Sequence, residues 1–443
     1  MSNFSYLPTD AIAGSKALFE RASKVAPLGA QGDGKYYAPY PHYLKRGFGS
    51  KVYDVDGREY IDYWNGAGPA VLGHADPRVD AAVAETMRTR GTVFCAANDL
   101  EVELGEAMAK HIPCAEMSGF LNAGSDTLYM AGRLARAATG RSIFVKFAGS
   151  YHGWHEDFLF NVQSYAGGPG NDGLYQPIPE TTGLKAETIA SIRVLDYNDI
   201  EAVKELFRVE GDRIAGVVVE PVMHGPLTGN IVPLPGFLET LRQLCTDYGA
   251  LLIFDEILTG FRHHIGGAQT IFGVTPDIGC FGKAISNGLP IAAITGRRAV
   301  MEHLAPAGRA FFSGTYNGNV ACVSAALATI GQLADGEVHA HIAVLGERLR
   351  AGLEEVFARR GIAANANAFR SIVAIHNSDR RLNSFGDVWA HHDMSRATEF
   401  ASFLFDHGIY AKPRKVQRLL VSGAHTEAEI DRTIDVVDQF YAA

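Results

Sequence analysis

The chain has 443 residues, of which 47% are hydrophobic and 20% are charged, and its formal net charge is −9. This length and composition are typical of a globular protein with two or three domains. The negative charge argues against broad binding to nucleic acids or anionic membranes, and no apolar run approaches the roughly 20 residues of a membrane-spanning helix.

The start of the chain and its cysteines bear on where the protein works. Residues 1–10 lack both the basic start and the apolar core of a signal peptide. The five cysteines are odd in number, widely spaced and mostly in apolar surroundings, so we expect reduced thiols and a cytoplasmic location. We expect no metal site, because His111, Cys114 and the neighbours His263 and His264 do not form a metal-binding pattern.

The N-terminal part is predicted to contain a helix and a hairpin. Residues 13–24 have the pattern of an amphipathic helix that ends before Pro27, and a glycine-rich stretch follows at residues 29–34. Residues 51–63 alternate in polarity around an Asp-Gly turn signal, which indicates a β-hairpin.

From about residue 75, helices and buried strands alternate. Helical patterns are predicted at residues 78–90, 99–111 and 125–138, and strands at residues 142–147, 214–220 and 251–255. Continuous apolar strands of this kind are typical of parallel sheets that are covered by helices on both faces. We therefore predict an α/β domain with right-handed crossovers, in which ligands bind at the carboxyl ends of the strands.

The last part of the chain is predicted to form a second, α+β unit. The pattern indicates a helix at residues 337–360, short strands at residues 371–376, 408–411 and 418–422, and a terminal helix at residues 427–442. We expect this unit to join the N-terminal segment, because neither piece alone has an adequate core. The predicted organisation is an N-terminal part of the small domain at residues 1–74, a large domain at residues 75–334 and a C-terminal part of the small domain at residues 335–443.

A glycine-containing turn at residues 122–127 opens the helix predicted at residues 125–138. Such a turn offers free backbone N–H groups and a favourable helix dipole to an anion. Ser125 adds a hydroxyl donor, so Gly124 and Ser125 are candidates for holding a phosphate group. The alternative is an ordinary helix N-cap made by Ser125 or Asp126.

Aromatic and acidic residues follow three of the predicted strands. Tyr151 and His152 lie in a glycine-flanked loop after the strand at residues 142–147, where an aromatic ring can stack on a planar heterocycle. Glu220 and Asp255 each end an apolar strand, so both carboxylates are expected at the same edge of the sheet and in need of a partner. Glu220 is predicted to organise a hydrogen-bond network, with a purely structural buried acid as the alternative.

Lys283 lies in a glycine-bounded apolar turn downstream of Asp255. An amine in apolar surroundings has a lowered pKa, is nucleophilic at neutral pH and can form a Schiff base with a carbonyl group. An acid at the end of a buried strand suits the pyridinium nitrogen of pyridoxal phosphate. Together, Lys283 and Asp255 indicate a pyridoxal phosphate site, whereas for Lys283 taken alone an ordinary surface lysine is the better interpretation. Gly314 and Thr315 offer a further hydroxyl-plus-backbone clamp for a phosphate.

These residues, in this order, resemble the class III aminotransferases, which are pyridoxal phosphate enzymes of fold type I. The nearest subgroup is similar to glutamate-1-semialdehyde aminomutase. The resemblance covers nearly the whole chain, from residues 43–57 to residues 421–427, and its most specific part combines residues 254–262, 276–278 and 282–283. It implies a large domain with a mostly parallel seven-stranded sheet between helices, and a smaller α+β domain made from both chain ends.

The resemblance also implies roles for the candidate residues. Lys283 would carry the Schiff base of pyridoxal 5′-phosphate and then move a proton during the reaction, and Asp255 would pair with the pyridine nitrogen. Ile257 and Tyr151 would pack on opposite faces of the ring, with His152 and Glu220 beside it. Gly124 and Ser125 would hold the phosphate, while Gly314 and Thr315 would reach the cofactor of a neighbouring subunit, which implies a homodimer with active sites at the interface.

The chain departs from the pattern of this family at three places. The phosphate turn, which usually has the sequence Ser-Gly-Thr-Glu-Ala, is Ala-Gly-Ser-Asp-Thr at residues 123–127. Gln417 stands where the aminomutases carry a glutamate, and residues 29–37 lack the aminomutase pattern. The last two changes argue against aminomutase activity, although not against the cofactor.

We therefore expect a ping-pong aminotransferase that moves an amino group between an amino acid or amine and a keto acid, ketone or aldehyde. Arg414 is the first candidate for binding a substrate carboxylate and Arg418 the second, because a guanidinium fork suits this group. The alternative for Arg414 is a surface arginine on a turn. Together with Tyr151, the aromatic residues Tyr36, Tyr37 and Trp64 indicate a pocket for a bulky or apolar substituent.

Other functions remain open at the level of the sequence. The first alternative is an aminomutase of the glutamate-1-semialdehyde type that uses the same pyridoxal phosphate site, and the next is an amino-acid epimerase or racemase. A non-catalytic binding protein on the same fold is a further alternative. The joint presence of Lys283, Asp255, Ser125 and Thr315 argues against it, because a scaffold has no physical need for the nucleophile.

Overall fold

The structure is a computed structural model that describes Tyr6, residues 12–165 and residues 167–442. The residues before position 12 other than Tyr6, which belong to the predicted N-terminal segment, lie outside the described residues, as do Ala166 and Ala443. The strands of the described part are β1 Leu44–Phe48, β2 Lys51–Asp54, β3 Glu59–Asp62, β4 Met117–Leu121, β5 Ile143–Phe147, β6 Ile192–Leu195, β7 Ile214–Val219, β8 Leu251–Glu256, β9 Ile278–Phe281, β10 Ala292–Gly296, β11 Asn365–Phe369, β12 Ile372–His376, β13 Ile409–Tyr410 and β14 Gln417–Leu420.

The six helices that were predicted with boundaries are present, and their observed ends lie within two residues of the predicted ones. The predicted N-terminal helix ends at Ala22, two residues early, and the helix predicted at residues 125–138 begins one residue earlier, at Gly124. The helices of the described part are α1 Ala13–Ala22, α2 Pro77–Arg90, α3 Asp99–His111, α4 Gly124–Thr139, α5 Ala186–Ala190, α6 Ile200–Glu210, α7 Phe237–Tyr248, α8 Gly267–Phe272, α9 Arg298–Met301, α10 Val320–Leu333, α11 Glu337–Arg360, α12 Phe385–His391, α13 Ala397–Asp406 and α14 Glu427–Ala442.

A seven-stranded sheet forms the centre of the molecule, in the order β4-β10-β9-β8-β7-β5-β6. The strands from β9 to β6 in this order pair in parallel, and β10 pairs antiparallel with β9 and β4. The residues of β7 and β8 are buried throughout, as expected for strands covered on both faces. The predicted mostly parallel α/β sheet is confirmed.

Four neighbouring strands of this sheet end at the candidate residues. Asp255 is the penultimate residue of β8, and Glu220 directly follows β7. Lys283 follows β9 by two residues, and the loop with Tyr151 follows β5. The register places Val219 beside Phe254 and Asp255 beside Cys280, so these ends lie at one edge. The parallel pairing therefore gathers residues that are far apart in the sequence at the carboxyl edge of the sheet.

The two ends of the chain share a smaller sheet. Strands β1, β2 and β3 form antiparallel pairs, and β13 from the C-terminal part adds in parallel to β3. A third sheet consists of β11, β12 and β14. The hairpin predicted at residues 51–63 is present as β2 and β3, whereas the strand predicted at residues 408–411 is only two residues long. The domain boundaries at residues 74 and 334 stay a prediction.

A helix that spans a membrane must be both long and apolar. Within the part of the chain that the structure describes, no helix is both long enough and apolar enough to cross a membrane.

Candidate active site

Lys283 lies in a strained turn at the carboxyl edge of the central sheet. It opens a short 3-10 turn, Lys283–Ser286, with a φ of +46°, a left-handed conformation that costs energy in a residue with a side chain. Burial lowers the pKa of its amine to about 8, Asp255 opposes this shift, and the charge of Arg418 adds to it. A lysine with this pKa has a substantial free-amine fraction near neutral pH, as a nucleophile requires.

Asp255 is a buried carboxylate whose orientation is fixed by two donors. Its Oδ2 atom lies 2.8 Å from Nδ1 of His152, and its Oδ1 atom accepts a hydrogen bond of 3.0 Å from the backbone N–H of Ile257. Burial lowers the pKa of His152, and its Nε2 atom has no partner in the described part of the chain. A carboxylate held in this way is suited to stabilise a protonated ring nitrogen.

Glu220 connects two loops at the same edge. Its Oε1 atom accepts from the backbone N–H of Tyr151 at 3.1 Å, and its Oε2 atom accepts from the backbone N–H of His224 at 2.9 Å. Burial, followed by the nearby charge of Asp255, raises its pKa to about 7. The structure thus places Glu220 in a hydrogen-bond network that positions the Tyr151 loop, as the sequence predicted.

The turn before α4 forms an uncapped helix N-terminus. The N-cap residue is Ala123, which makes no side-chain cap, so the predicted alternative of a cap by Ser125 or Asp126 is not what the structure shows. The backbone N–H of Trp154 donates to the Ser125 hydroxyl at 3.3 Å. Gly153, with a φ of +99°, permits this close approach, because a Cβ at that position would lie 2.8 Å from Ser125 Oγ.

Ile257 and Tyr151 flank the space between Lys283 and the phosphate turn. Ile257 lies against the backbone of Gly124 and Gly282, since a Cβ at either glycine would be within 3.1 Å of its Cδ1 atom. The Tyr151 side chain is 42% exposed. Burial raises the pKa of its phenol, and a hydrogen bond with Ser125 opposes the shift.

Together these residues fit pyridoxal phosphate. The site offers an amine for the aldehyde, a fixed carboxylate for the ring nitrogen, an aliphatic and an aromatic side chain for the ring faces, and a free helix N-terminus with Ser125 for the phosphate. The unpartnered Nε2 of His152 is a further polar atom available near the ring site.

Gly314 and Thr315 lie apart from this group on an exposed loop. The loop is tied to the phosphate turn by a 3.0 Å hydrogen bond from Asn122 Nδ2 to Asn317 Oδ1. Both residues are exposed in the single chain. The predicted contact of Thr315 with a neighbouring subunit's cofactor stays a prediction.

Three of the substrate candidates, Trp64, Arg414 and Gln417, are partly or fully buried. Trp64 is partly buried, and Arg414 lies over its ring, with 4.8 Å from Cζ to the ring centroid. Arg414 donates to the carbonyl of Pro226 at 3.4 Å, and its Nε atom has no partner among the described residues. Gln417 is buried, and its Oε1 atom is likewise unpartnered. Arg414 and Gln417 therefore each have unused hydrogen-bonding capacity, and we refer to Arg414, Gln417 and Trp64 as the substrate wall.

Tyr37, the remaining substrate candidate, is buried among other aromatic residues. Only 2% of it is exposed, its hydroxyl accepts from the backbone N–H of His42 at 3.0 Å, and its ring packs on Phe405 at 6.1 Å between centroids. It belongs to the aromatic core where the two chain ends meet. The contact of Tyr37 with the substrate therefore stays a prediction, and its ring packing gives it a structural role as well.

Sequence reasoning missed three buried polar residues near the site. Lys146 lies inside β5 and donates to the carbonyl of Ser150 at 3.0 Å and to that of Phe160, which holds both ends of the Tyr151 loop. Arg262 donates to the carbonyls of Gly68 and Val421, and His224 follows Glu220. A lysine within an apolar strand was a signal for Lys146, whereas no local pattern distinguishes His224.

Comparison with known proteins gives one family, whose members include proteins named as an aminomutase and as transaminases. A family profile described as aminotransferase class-III matches residues 34–438. The chain is 38% identical over 432 residues, 97% of each sequence, to a protein named glutamate-1-semialdehyde 2,1-aminomutase from Acetivibrio thermocellus. Its fold is similar to that of an omega-transaminase from Sphaerobacter thermophilus, with a TM-score of 0.90, 32% identity and 97% coverage of both chains. A structure described as a transaminase with PLP bound has a TM-score of 0.86, 29% identity and the same coverage.

Proposed function

The chain belongs to the class III aminotransferase family, and on this basis we propose that it is an aminotransferase that moves an amino group between an amino acid or amine and a keto acid, ketone or aldehyde in two half-reactions. Its cofactor is pyridoxal 5′-phosphate. When bound, the cofactor supplies an aldehyde for amino groups and a ring that withdraws electrons from the reacting carbon.

The residues around Lys283 carry this proposal. The Lys283 amine would hold the cofactor and, once a substrate amine has displaced it, would take the proton from the substrate Cα atom and deliver it to the carbon that carried the cofactor aldehyde. The carboxylate of Asp255, oriented by His152 and the backbone N–H of Ile257, keeps a proton on the ring nitrogen. The helix N-terminus at Gly124 and the Ser125 hydroxyl hold the phosphate. The single supporting observation is that one sheet edge assembles all three groups.

Arg414 supports a substrate that carries a carboxylate. Its guanidinium is held over Trp64, and it forms no ion pair with a carboxylate in the described part of the chain. Lys412 lies over the same ring at 5.5 Å, and burial lowers its pKa to about 8. An arginine placed in this way is preorganised for a bidentate contact with a planar anion.

Gln417 supports transfer between two substrates in preference to isomerisation of one. The resemblance to the aminomutases implies a glutamate at this position, and the uncharged amide of Gln417 leaves Arg414 and Arg418 without an acid on their own segment. The cations of this wall are therefore available to an incoming acid. A guanidinium left without a carboxylate in a buried site favours an anionic ligand.

An aminomutase is the second candidate, and the sequence comparison favours it. The relative from Acetivibrio thermocellus is named an aminomutase, and the similarity spans nearly the full length of both chains. The same Lys283, Asp255 and Ser125 would serve that reaction, because it also moves an amino group and a proton. The two functions differ in whether the amino group leaves with a second substrate.

A single-turnover experiment tests the proposal. Purified cofactor-loaded protein is mixed with an excess of a single amino donor and no acceptor, and released keto acid is measured. We expect about one keto acid per active site from the correct donor, and none from Lys283→Ala. Isomerisation of glutamate 1-semialdehyde without any co-substrate, together with no stoichiometric keto acid from any donor, would establish the aminomutase instead.

The homodimer is part of the proposal. In the single chain, large apolar side chains such as Phe94, Phe311 and Tyr316 are exposed, as is Thr315, and a second copy would cover them. A dimer would bring Thr315 to the phosphate site of its partner. The cytoplasmic location stays a prediction.

A further inference from the structure

His224 is a buried imidazole with unused hydrogen-bonding capacity next to the candidate active site. It is 4% exposed, and neither Nδ1 nor Nε2 has a partner in the described part of the chain. Burial, together with the charges of Arg418, Lys283 and Arg262, holds the pKa of His224 well below its usual value. Buried polar atoms are rarely left unpaired, so we expect the two ring nitrogens of His224 to have a partner that is not part of the described chain, such as a ligand.

Arg418 lies beside His224 and is also incompletely paired. It is 7% exposed, its Nη1 atom donates to the backbone carbonyl of His224, and its Nε atom has no partner among the described residues. We refer to these two residues as the His224–Arg418 pair. It joins the loop after β7 to strand β14, and both members act electrostatically on Lys283 or are acted on by it.

Glu220 acts on Arg418 by its charge, which opposes the lowering of the Arg418 pKa by burial, but no acid in the described part of the chain forms an ion pair with Arg418. Both oxygens of Glu220 already accept from the backbone N–H groups of Tyr151 and His224, and Asp255 is engaged by His152. Arg418 makes no ion pair within 4.0 Å in the described residues, while Arg262 adds a second buried guanidinium. An excess of buried positive charge is costly unless an anion is bound.

The pair and Arg414 have different hydrogen-bond partners, although after burial the charge of Arg418 also lowers the pKa of Arg414. Arg414 is held by the Trp64 ring and the carbonyl of Pro226, whereas Arg418 is held by the carbonyl of His224. The two guanidinium groups therefore have different partners and present separate free Nε atoms. Each offers a position for one carboxylate.

We propose that the His224–Arg418 pair binds a second carboxylate of the substrate, so that the substrate class is dicarboxylic amino and keto acids. This inference rests on the proposed function, in which Arg414 binds the first carboxylate. In the complex, Arg418 donates from Nε to one carboxylate oxygen and the N–H of His224 donates to the other. The bound anion thereby provides the counter-charge that the buried cations lack.

Binding of unreactive acids to the cofactor-loaded protein tests the inference. Dissociation constants are measured by calorimetry for succinate, glutarate and adipate, and for the monocarboxylates butyrate, pentanoate and hexanoate of the same carbon numbers. We expect at least one dicarboxylate to bind about tenfold more tightly than its matched monocarboxylate. Equal binding within all three pairs would overturn the inference, and would indicate that only water occupies the pair.

Variants locate the preference. Arg418→Gln and His224→Phe are expected to reduce the ratio of dissociation constants to about one, whereas His224→Asn, which keeps an N–H donor, retains part of it. Arg414→Gln weakens both series of acids. The exposed Arg359→Gln, which breaks only surface contacts with Asp438, leaves the ratio unchanged.

The His224 variants keep the test decisive if Arg418→Gln does not fold. Retention of the full preference in folded His224→Phe would overturn the role of the pair. Since these acids have no amino group, their binding does not depend on catalysis. Failure of the proposed function would instead appear as an absence of keto acid release from any donor.

Discussion

Lys283 combines a left-handed backbone, burial and a lowered pKa of about 8. The three features have related causes, because the turn after β9 forces the side chain into the space beside Asp255 and Arg418. The free amine is therefore available at a pH where an ordinary lysine is protonated. This property predicts how the protein without cofactor should respond to pH.

Capture of the cofactor should follow the titration of Lys283. Below about pH 8 the rate at which the cofactor-free protein binds pyridoxal phosphate is expected to rise about tenfold per pH unit, and above it to level off, because only the neutral amine attacks the aldehyde. Stopped-flow absorbance measures the rate. A rate that does not change between about pH 6 and pH 9 would contradict the assignment, and Lys283→Met should show no fast phase.

The same shift predicts a pH-dependent stability. The amine has a pKa of 10.5 when exposed and about 8 in the folded protein, so the unfolded chain binds more protons between these values. The free energy of unfolding of the cofactor-free protein should therefore rise with pH across this window.

Substitution of Lys283 isolates this contribution. Cofactor-free Lys283→Met should be more stable than the original protein by roughly 1–3 kcal/mol at about pH 7, with the difference vanishing near pH 10.5. Urea unfolding at several pH values measures it. A difference that is constant with pH would show that packing, and not the charge, is responsible.

Sequence patterns predicted the reacting residues better than those of the substrate wall. Asp255 and Lys283 could be predicted because each follows a buried strand and belongs to a local motif. The aromatic character of Tyr37 is compatible with a pocket or a core, and its packing on Phe405 could not be predicted from local sequence. His224 and Arg418 are 194 residues apart, and no local pattern connects them.

At the scale of elements, α4 and the loop after β5 together form the proposed phosphate site. The loop reaches Ser125 because Gly153 has a φ of +99° and no side chain. The helix contributes its uncapped N-terminus. Neither element alone presents both the dipole and the ordered hydroxyl.

Gly153→Ala should therefore weaken cofactor binding. Its Cβ would lie 2.8 Å from Ser125 Oγ, so the hydroxyl must move and we expect the dissociation constant of the cofactor to rise about tenfold. Fluorescence titration measures it. Gly183→Ala is the matched control, because Gly183 has a φ of +87° with open space around it and should incur only the backbone strain. Equal effects of the two changes would refute the contact with Ser125.

Helices and strands were each predicted only in part, and those that were predicted lie close to their observed positions. Helices such as α3 have local signals, here a capping box between Asn98 and Glu101. Strands β4, β9 and β10 were not identified from the sequence, because they are four or five residues long and rich in small residues. Their pairing is decided by neighbours that come from elsewhere in the chain.

At the scale of the whole molecule, the N-terminal and C-terminal parts of the chain pack together against the large domain. Asn65 donates to the carbonyl of Leu420 at 2.6 Å, and Arg262 donates to the carbonyls of Gly68 and Val421. These contacts bring Trp64, Arg414 and Arg418 toward Lys283. The substrate wall is therefore a product of tertiary contacts between three distant segments.

The proposed dimer predicts complementation between two inactive variants. Lys283→Met lacks the amine, and Thr315→Asp places a negative charge against the phosphate of the partner's site. Mixing and refolding the two should restore about a quarter of the original activity, since half of the dimers are mixed and each mixed dimer has one intact site. Steady-state assays with a confirmed donor and acceptor measure the recovery. Separately refolded proteins are the control, and no recovery in verified mixed dimers would refute a shared site.

The sequence by itself determined the class of the fold and the cofactor, because burial patterns and the motifs around Asp255 and Lys283 are local properties of the chain. Both predictions are confirmed by the seven-stranded sheet and by the family match. Only the tertiary structure decided that Tyr37 is buried, that Arg414 lies over Trp64 and that His224 adjoins Arg418. Their physical reason is the same: burial and charge pairing depend on which distant segments pack together, and local sequence does not specify that packing.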